Sequence, residues 1–489
     1  MKTNIPATLV LAAAGLTAAA QDSLSDYLDT AFGRAPYKME TRHVGSLQAS
    51  MRPDEQHPAR HAGIATAAEI LERSLALDLK EELSGWILFP SSPQKFAPYL
   101  DSLFVPGNTC IQPSDIISHD ALSAAAQNIK SRLSRYGIQY SLTLTGNYTG
   151  IAPRSRGGRN DFASTNNSFA GTWYLLKKAD NSQGLFLSIE ADWGHGFNFN
   201  ENRSSAQNTI GSLSNPQGSL RGGNGVFIPH LALGYSAFNG KWVSMVGTID
   251  TSSYLDQNIY AGSWNGNLTN SAFGSNPCLP LEWANWGYLT AWQPCDSFYA
   301  MYATTGCNGK INHNPFRSIS RNAWVHLTEF GYIADDFLGL GKGTYRLQYT
   351  ITRHKGETGF GVACNIQQQL GHGSPLGFFT RCGFMDSDAA SVSGVRTAAT
   401  AGLVLQAPFS GSGWGSKANN DQLALGFLWE RAADSPHVHK DEYGLELSAV
   451  VQVTPTFFIQ PDVQWIFNPA HQTDRSSEFI FQVQTVFRF

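Results

Sequence analysis

An alternation of apolar and polar side chains, running from Gly137 to Phe489, is the feature that most constrains how this chain can fold. Successive side chains of a β-strand point to opposite faces, so each alternating stretch predicts a strand with one apolar and one polar face. Clear examples are residues 140–145, 185–193, 445–453 and 459–467. After residue 20, no uncharged apolar stretch reaches the ~18 residues that a membrane-spanning helix requires. If the chain lies in a membrane, it therefore crosses as strands.

The last predicted strand distinguishes a membrane barrel from a soluble sandwich, whose strands also alternate. One of its faces is polar, with Gln482, Gln484 and Arg488. The other is apolar or β-branched, with Phe479, Phe481, Val483, Thr485, Phe487 and Phe489. Exposed at a sheet edge, this strand would promote aggregation, whereas in a closed barrel it pairs with the first strand and faces lipid. The terminal Phe489 is similar to the signal that the outer-membrane insertion machinery reads. We therefore predict a barrel in the bacterial outer membrane, in contact with its lipid.

Aromatic residues and turn lengths favour the same interpretation. The apolar faces carry aromatic residues near strand ends, as an interfacial girdle would: Trp193, Trp465, Phe467 and Phe487. Counted back from the C-terminus, short turns at 454–456 and around Gly373 fall on one side, and longer connections at 432–441 and 468–477 fall on the other. The connection at 408–420 lies on the short-turn side and is longer than this rule predicts.

Two regions are expected before the barrel. Residues 1–20 hold one charge, Lys2, then an apolar run that ends on small residues, which is typical of a cleaved secretory signal. Residues 21–135 are expected to be helical or irregular, with an amphipathic helix at 64–83 and a second helix at 114–135 that opens with Ser114 and Asp115. This periplasmic segment could plug the pore, cap it, mediate assembly or form a helical pack with no gating role. The barrel is then expected over residues 136–489.

Charge and cysteine content narrow the function further. With 34 basic and 38 acidic residues and a formal net charge of −4, the chain has no electrostatic preference for nucleic acid. The six cysteines are an even number in an exported chain, so disulfides are allowed. Cys364 and Cys382 are centred on a turn-like sequence at 371–375, which predicts a disulfide between facing strands. Cys110, Cys278, Cys295 and Cys307 permit three pairings, and no spacing suggests a metal or another cofactor.

Several motifs near the C-terminus resemble the carbohydrate-selective porins. Residues 442–447 read Glu-Tyr-Gly-Leu-Glu-Leu, 452–455 read Gln-Val-Thr-Pro, and 459–469 read Ile-Gln-Pro-Asp-Val-Gln-Trp-Ile-Phe-Asn-Pro. Residues 376–383 and the Gly-Thr-Tyr-Arg run at 343–346 are similar to further strands of that family. Where the family usually has Gly-Lys-x-Asp, residues 247–250 have Thr248 in place of the basic residue. The resemblance implies an all-β fold, a transmembrane antiparallel β-barrel of about sixteen strands that passes sugars down their gradient.

A sugar-selective pore needs hydroxyl donors and acceptors on the polar faces of its strands. Strand parity makes ten residues candidates for lining the channel and contacting sugar: Arg346, Arg381, Glu446, Asp462, Gln464, Gln452, Gln460, Gln348, Glu190 and Asp192. Arg346 and Arg381 are the best candidates for the constriction, because each lies in a family motif on the polar side of a strand. For any one of these charges, a salt bridge that stiffens the wall is an equally good interpretation.

The leading hypothesis is passive diffusion of mono- or oligosaccharides. Glu190 and Asp192 hold carboxylates ~7 Å apart on one strand face, within the range of an inverting glycosidase, but no second catalytic feature accompanies them, so we expect no enzyme. Two alternatives are a structural or glycan-adhesive barrel without selective transport and a secreted β-rich carbohydrate enzyme.

Overall fold

A computed structural model describes residues 85–489 apart from 91–93, 105–115, 118–119, 153–158, 198–204, 218–224, 263–265, 308–315, 317–318, 320, 409–419, 434–440 and 473–474. The secretory signal at 1–20, the helix expected at 64–83, Cys110 and most of the 408–420 connection lie outside the described residues.

Sixteen antiparallel strands form a closed barrel, as predicted. Each strand pairs with its neighbours in the chain, and the last pairs with the first. The strands are β2 (Ile138–Ala152), β3 (Asp161–Lys178), β4 (Gly184–Gly196), β5 (Gly225–Ala237), β6 (Trp242–Ile249), β7 (Asn285–Cys295), β8 (Phe298–Gly306), β9 (Trp324–Ala334), β10 (Gly343–His354), β11 (Glu357–Gln369), β12 (Leu376–Met385), β13 (Val395–Gln406), β14 (Gln422–Ala432), β15 (Glu442–Gln452), β16 (Phe457–Phe467) and β17 (Ser477–Arg488). A short strand, β1 (Trp86–Leu88), pairs with the end of β3.

The outer surface of the barrel is apolar. On β10, Leu347 and Tyr349 are 55% and 45% exposed, whereas Arg346 and Gln348 between them are buried. The same parity holds along β15 to β17, where the exposed residues include Leu447, Trp465 and Phe481. A soluble protein would bury these side chains in its core, so their position on the outside of a closed barrel fits a lipid-facing wall.

The two ends of the barrel differ in the length of their connections. Short turns join β15 to β16 and β11 to β12 at the end where Phe489 lies, and the backbone of Phe489 pairs there with that of Leu142. At the other end, Trp465 packs against Phe467, and longer segments join β4 to β5 and β6 to β7. In outer-membrane barrels the short turns face the periplasm, which assigns the end with Phe489 to that side.

Within the described ranges, four α-helices accompany the barrel: α1 (Pro98–Phe104), α2 (Ala121–Ser134), α3 (Ala206–Ile210) and α4 (Ser387–Ser393). Ser114 and Asp115, where the second helix was expected to start, lie outside the described residues. Residues 116 and 117 are not helical, and Asp120 caps α2 by accepting a hydrogen bond from the Ser123 amide. Contacts with a barrel turn explain the later start. The Ile117 amide donates to the Val453 carbonyl at 3.1 Å, and the Thr456 hydroxyl donates to Asp120 at 2.9 Å.

Among the described residues, no helix has the length and apolar character needed to cross a membrane.

One sector of the inner wall is apolar and forms the main hydrophobic core. Inward side chains of β6 to β9, among them Met245, Leu289, Met301 and Leu327, pack against α1 and the segment between β6 and β7. Most of the buried polar side chains lie on the inner faces of β10, β11, β15 to β17 and β2 to β4, whereas β12 to β14 also direct apolar residues such as Phe379, Val404 and Leu428 inward. The interior therefore has a covered apolar sector and a polar sector.

Candidate channel interior

The connection between β6 and β7, residues 250–284, folds into the barrel and narrows it. We call it the inserted loop. Tyr254, Leu255, Leu268 and Phe273 on this loop are all buried. Burying apolar side chains from a connection between strands requires a covering surface, and here the inner wall supplies it.

Two wall glycines allow the inserted loop to approach closely. A Cβ atom on Gly377 would lie 2.2 Å from the Tyr260 ring, and one on Gly426 would lie 2.6 Å from the Phe273 ring. Side chains at either position would collide with loop aromatics, so the wall is shaped to receive the loop. Phe273 also contacts the wall residue Phe379 edge to face, with ring centroids 6.0 Å apart.

Arg381 on β12 fastens the inserted loop to the wall. Its Nε lies 2.9 Å from the Asp256 carboxylate, and both side chains are fully buried. Its terminal nitrogens donate to the backbone carbonyls of Phe273 at 2.8 Å, Asp256 at 3.0 Å and Ala261 at 3.3 Å. Arg381 lies on the inner wall, but its hydrogen bonds and its ion pair go to the inserted loop. Its surroundings therefore fit the alternative that such a charge forms a structural salt bridge and does not contact sugar.

Asp256 is the centre of this attachment. Its carboxylate accepts hydrogen bonds from Gln348 at 2.8 Å, from the Asn365 side chain at 2.7 Å and from the Asn276 amide at 2.6 Å. A buried charge is tolerated only when it is paired and hydrogen-bonded, and Asp256 meets both conditions.

A second attachment lies on β15 and β16, three to four strands away from β12. Glu446 on β15 accepts hydrogen bonds from the backbone amides of Thr269 and Asn270. Gln464 on β16 donates to the Thr269 hydroxyl at 2.7 Å and to Asp462 at 2.9 Å, and it accepts from the Asn270 side chain at 3.2 Å. Glu446 and Gln464 therefore hold the loop at its far side.

Arg346 on β10 borders a cavity of about 560 Å³ at the periplasmic end of the interior. It donates to the Tyr299 hydroxyl at 2.9 Å and to Gln367 at 3.3 Å, and its Nε lies 3.9 Å from Glu329. Within the described residues its Nη1 has no hydrogen-bond partner. Arg346 therefore lies on the inner wall beside open space, and its role as a channel-lining residue stays a prediction.

Glu190 on β4 borders a second cavity of about 340 Å³, together with Ser188, His230, Tyr254 and Arg488. Asp192 is buried two residues further along β4, beside a bulge in the pairing with β5. Of the ten predicted lining residues, Arg346 and Glu190 border these two cavities.

The other candidates are buried on the inner wall in hydrogen-bonded positions. Gln348 donates to Asp256 and to Glu329, and Gln460 donates to the Ser448 hydroxyl at 3.0 Å. Gln452 accepts from the Asn420 amide at 2.9 Å and so fixes the periplasmic connection between β13 and β14.

The family model of the carbohydrate-selective porins, OprB family, matches residues 135–489. The chain belongs to this family. A search of curated proteins found no significant match.

Similarity to the high-pH structure below supports the barrel fold of this porin. The high-pH structure of Pseudomonas putida OprB is 16% identical, with a TM-score of 0.56, over 77% of this chain and 99% of that one. The low-pH structure of the same protein has a TM-score of 0.45 at the same identity and coverage. A mutant Rh. blastica porin is 10% identical, with a TM-score of 0.46, over 72% of this chain and all of that one. Fold and family together place the porin in the bacterial outer membrane, where it is a passive diffusion channel for sugars.

At the family's Gly-Lys-x-Asp position the porin has Thr248, and the acidic residue Asp250 begins the inserted loop. The Asp250 carboxylate accepts from the Ser252 amide at 2.9 Å and from its hydroxyl at 2.6 Å. Burial raises the pKa of Asp250 to about 6, and the negative charge of Asp192 adds to this rise. The loop of this porin therefore starts from an acid whose charged form is disfavoured.

Cys364 and Cys382 face each other across β11 and β12, as predicted. The structure has both as free thiols, with their sulfurs 2.7 Å apart, so it does not contain the predicted disulfide. Both side chains lie on the outer, lipid-facing side of the barrel. Cys364 shares this face of β11 with Val362, and Cys382 shares it on β12 with Phe384. The bond itself remains a prediction.

Sequence reasoning missed the apolar inner sector and the residues that meet there. Strand parity predicted a polar inner face all around the barrel, yet β6 and β8 direct Val243, Met245 and Met301 inward. A signal was present, because Trp242, Val243, Met245 and Val246 make both faces of β6 apolar. Strands that are apolar on both faces are covered on both faces.

Proposed function

We propose that neutral mono- and oligosaccharides pass through the polar sector of this porin, with Arg346 and Glu190 in contact with the solute. Arg381, Glu446 and Gln464 would act indirectly, by holding the inserted loop that sets the width of the passage. The observation that carries this division of roles is that the first two residues border cavities, while the other three bind loop atoms.

Charge balance supports a neutral solute. Arg381 lies against Asp256 at 2.9 Å, and Arg346 has Glu329 at 3.9 Å. Both arginines are compensated locally, so this part of the interior offers paired donors and acceptors to hydroxyl groups.

The polar wall also offers unused hydrogen-bonding capacity. Among the described residues, neither amide atom of Gln484 has a hydrogen-bond partner, and the same is true of the Gln482 nitrogen and the Asn147 oxygen. Gln484 and Asn147 face each other across β17 and β2. Buried amides without partners cost free energy, which sugar hydroxyls in transit would recover.

We further propose that Glu190 and Asp192 serve as wall residues and not as a catalytic pair, and that the apolar outer surface contacts lipid. Glu190 receives a weak hydrogen bond from the Ser168 hydroxyl at 3.5 Å, which fits a wall position.

Liposome swelling tests the proposed selectivity. Vesicles containing the purified porin should swell faster in isosmotic glucose or maltose than in amino acids of similar size. An Arg346→Gln variant should narrow this difference, whereas the exposed-site variant Arg353→Gln should leave it unchanged. Equal rates for sugars and amino acids in the unmodified porin would refute the selectivity.

A further inference from the structure

The segment before the barrel sends one helix, α1, into the lumen at the periplasmic end. Leu100 and Phe104 on α1 are buried, and the preceding Phe96 packs edge to face on Phe186 of β4. Gln293 of β7 accepts hydrogen bonds from the amides of Tyr99 and Leu100, at 3.0 and 3.4 Å.

The C-terminal end of α1 is fixed on another strand. The Thr172 hydroxyl of β3 donates to the Phe104 carbonyl at 3.1 Å. α1 is therefore attached to β7 at one end and to β3 at the other. Leu103 borders both cavities described above, so α1 separates them.

Tyr99 is the residue of α1 that meets the predicted constriction. Its ring stacks on Tyr299 with centroids 3.9 Å apart, and the Arg346 guanidinium lies 5.8 Å from the ring centre. Tyr99 and Arg346 both border the 560 Å³ cavity, along with Asn258, Thr344 and Gln367. The Tyr99 hydroxyl is buried next to the polar groups of Tyr299 and Arg346.

The chemistry of this cavity fits a sugar ring. An aromatic side chain packs against the C–H face of a pyranose, while guanidinium, amide and hydroxyl groups bond its hydroxyls. A volume of about 560 Å³ lies within the range of small-molecule sites, and the Glu329 carboxylate near Arg346 disfavours an anionic ligand. Ser102, Asp296 and Ile259, which also border the cavity, are exposed.

We infer that this cavity is a binding site for a neutral mono- or disaccharide at the periplasmic end of the channel, and that Tyr99 determines its specificity together with Arg346. Tyr99 lies outside the 135–489 match to the family model, so the barrel domain of the family does not supply this residue. The inference rests on the proposed function, since it requires sugar to enter the lumen.

Sugar block of single-channel current in planar bilayers tests the site, with glucose and maltose as probes and the full-length porin as protein. Replacing Tyr99 with leucine removes the aromatic face and the hydroxyl. Aromatic stacking contributes about 1 kcal/mol, so Tyr99→Leu should raise the half-blocking concentration about fivefold. Tyr99→Phe keeps the ring and should lie between the unmodified porin and the leucine variant.

Phe96→Leu is the matched control, because Phe96 packs beside α1 without bordering the cavity. It should reproduce any loosening of α1 while leaving the half-blocking concentration unchanged. An unchanged half-blocking concentration in Tyr99→Leu, or an equal rise in Phe96→Leu, would overturn the site. If neither sugar affects the unmodified porin in block or in swelling, the proposed function fails as well, so the two failures are distinguishable.

Discussion

Releasing the inserted loop from the wall is the sharpest test of the interior, and Asp256→Asn is the least disruptive way to do it. Asp256 has a backbone φ of 61°, in the left-handed region, which asparagine also tolerates. The substitution keeps the size and one acceptor oxygen and removes the charge. It thereby leaves Arg381 fully buried without its counter-charge.

The free-energy cost of Asp256→Asn follows from the contacts that Arg381 keeps in the variant. Breaking one side of a buried ion pair costs about 3–5 kcal/mol. Arg381 still donates to three backbone carbonyls in the variant, so we expect the lower end, about 3 kcal/mol. Since 1.4 kcal/mol corresponds to a factor of ten, the population with the loop detached should rise roughly a hundredfold.

Single-channel recording measures this population. Asp256→Asn should show larger and more variable conductance, while heat-dependent gel mobility confirms that the barrel has folded. Arg431→Gln is the control, because Arg431 pairs with Asp441 at 2.8 Å with its side chain exposed to solvent, where an ion pair contributes little. Its conductance should match that of the unmodified porin.

A double variant separates charge from packing. Combining Asp256→Asn with Arg381→Met removes both charges. The conductance of this double variant should vary less than that of Asp256→Asn and lie closer to that of the unmodified porin. A folded Asp256→Asn porin with unchanged conductance and unchanged protease resistance of the loop would refute the proposed role of this pair.

Three further predictions concern the outer surface, the loop and the cysteines. Leu447→Arg, on the outer face of β15, should lower the free energy of unfolding in lipid by about 2–4 kcal/mol, as measured by denaturant titration. Tyr443→Arg, near the end of the same strand, should lower it by only about 0–1 kcal/mol. Equal losses in the two variants would argue against a lipid-facing wall. The free energy of unfolding of Asp250→Asn should match that of the unmodified porin below pH 3.8 and exceed it above pH 6. Burial raises the pKa of Asp250 from 3.8 to about 6, so the folded state disfavours its charged form as the pH rises. Parallel pH profiles of the two proteins would contradict this. Mass spectrometry of non-reduced peptides from cell envelopes should find Cys364 linked to Cys382, and recovery of both as free thiols would remove that prediction.

The barrel was predictable because its determinant is local. The alternating stretches around Leu187, Leu447 and Trp465 lie within β4, β15 and β16, since a strand between lipid and a polar interior must alternate residue by residue. The start of α2 was not predictable in the same way. Ser114 and Asp120 are both good helix caps, and the choice depends on Thr456, which is more than three hundred residues away in the chain.

The positions of the site residues were predictable, but their partners were not. Parity correctly placed Arg346 and Arg381 on the inner wall. Strand parity does not tell which inward residue faces open space and which contacts the inserted loop. That difference depends on long-range contacts, such as the one between Arg381 and Asp256, which are 125 residues apart. The two arginines look equivalent in sequence and have different surroundings in the structure.

The apolar sector explains why the passage must be off-centre. Inward side chains of β6 to β9 such as Met245 and Leu327 would cost free energy if they faced a water-filled lumen, so α1 and the inserted loop cover them. Covering them requires that the inserted loop be held inside the barrel, which the buried Arg381 and Glu446 achieve. The same attachments that bury the apolar sector therefore direct the solute toward the polar wall of β10, β11, β15 to β17 and β2 to β4. Selectivity and stability in this porin are consequently coupled through the inserted loop, and a substitution that frees the loop should affect both.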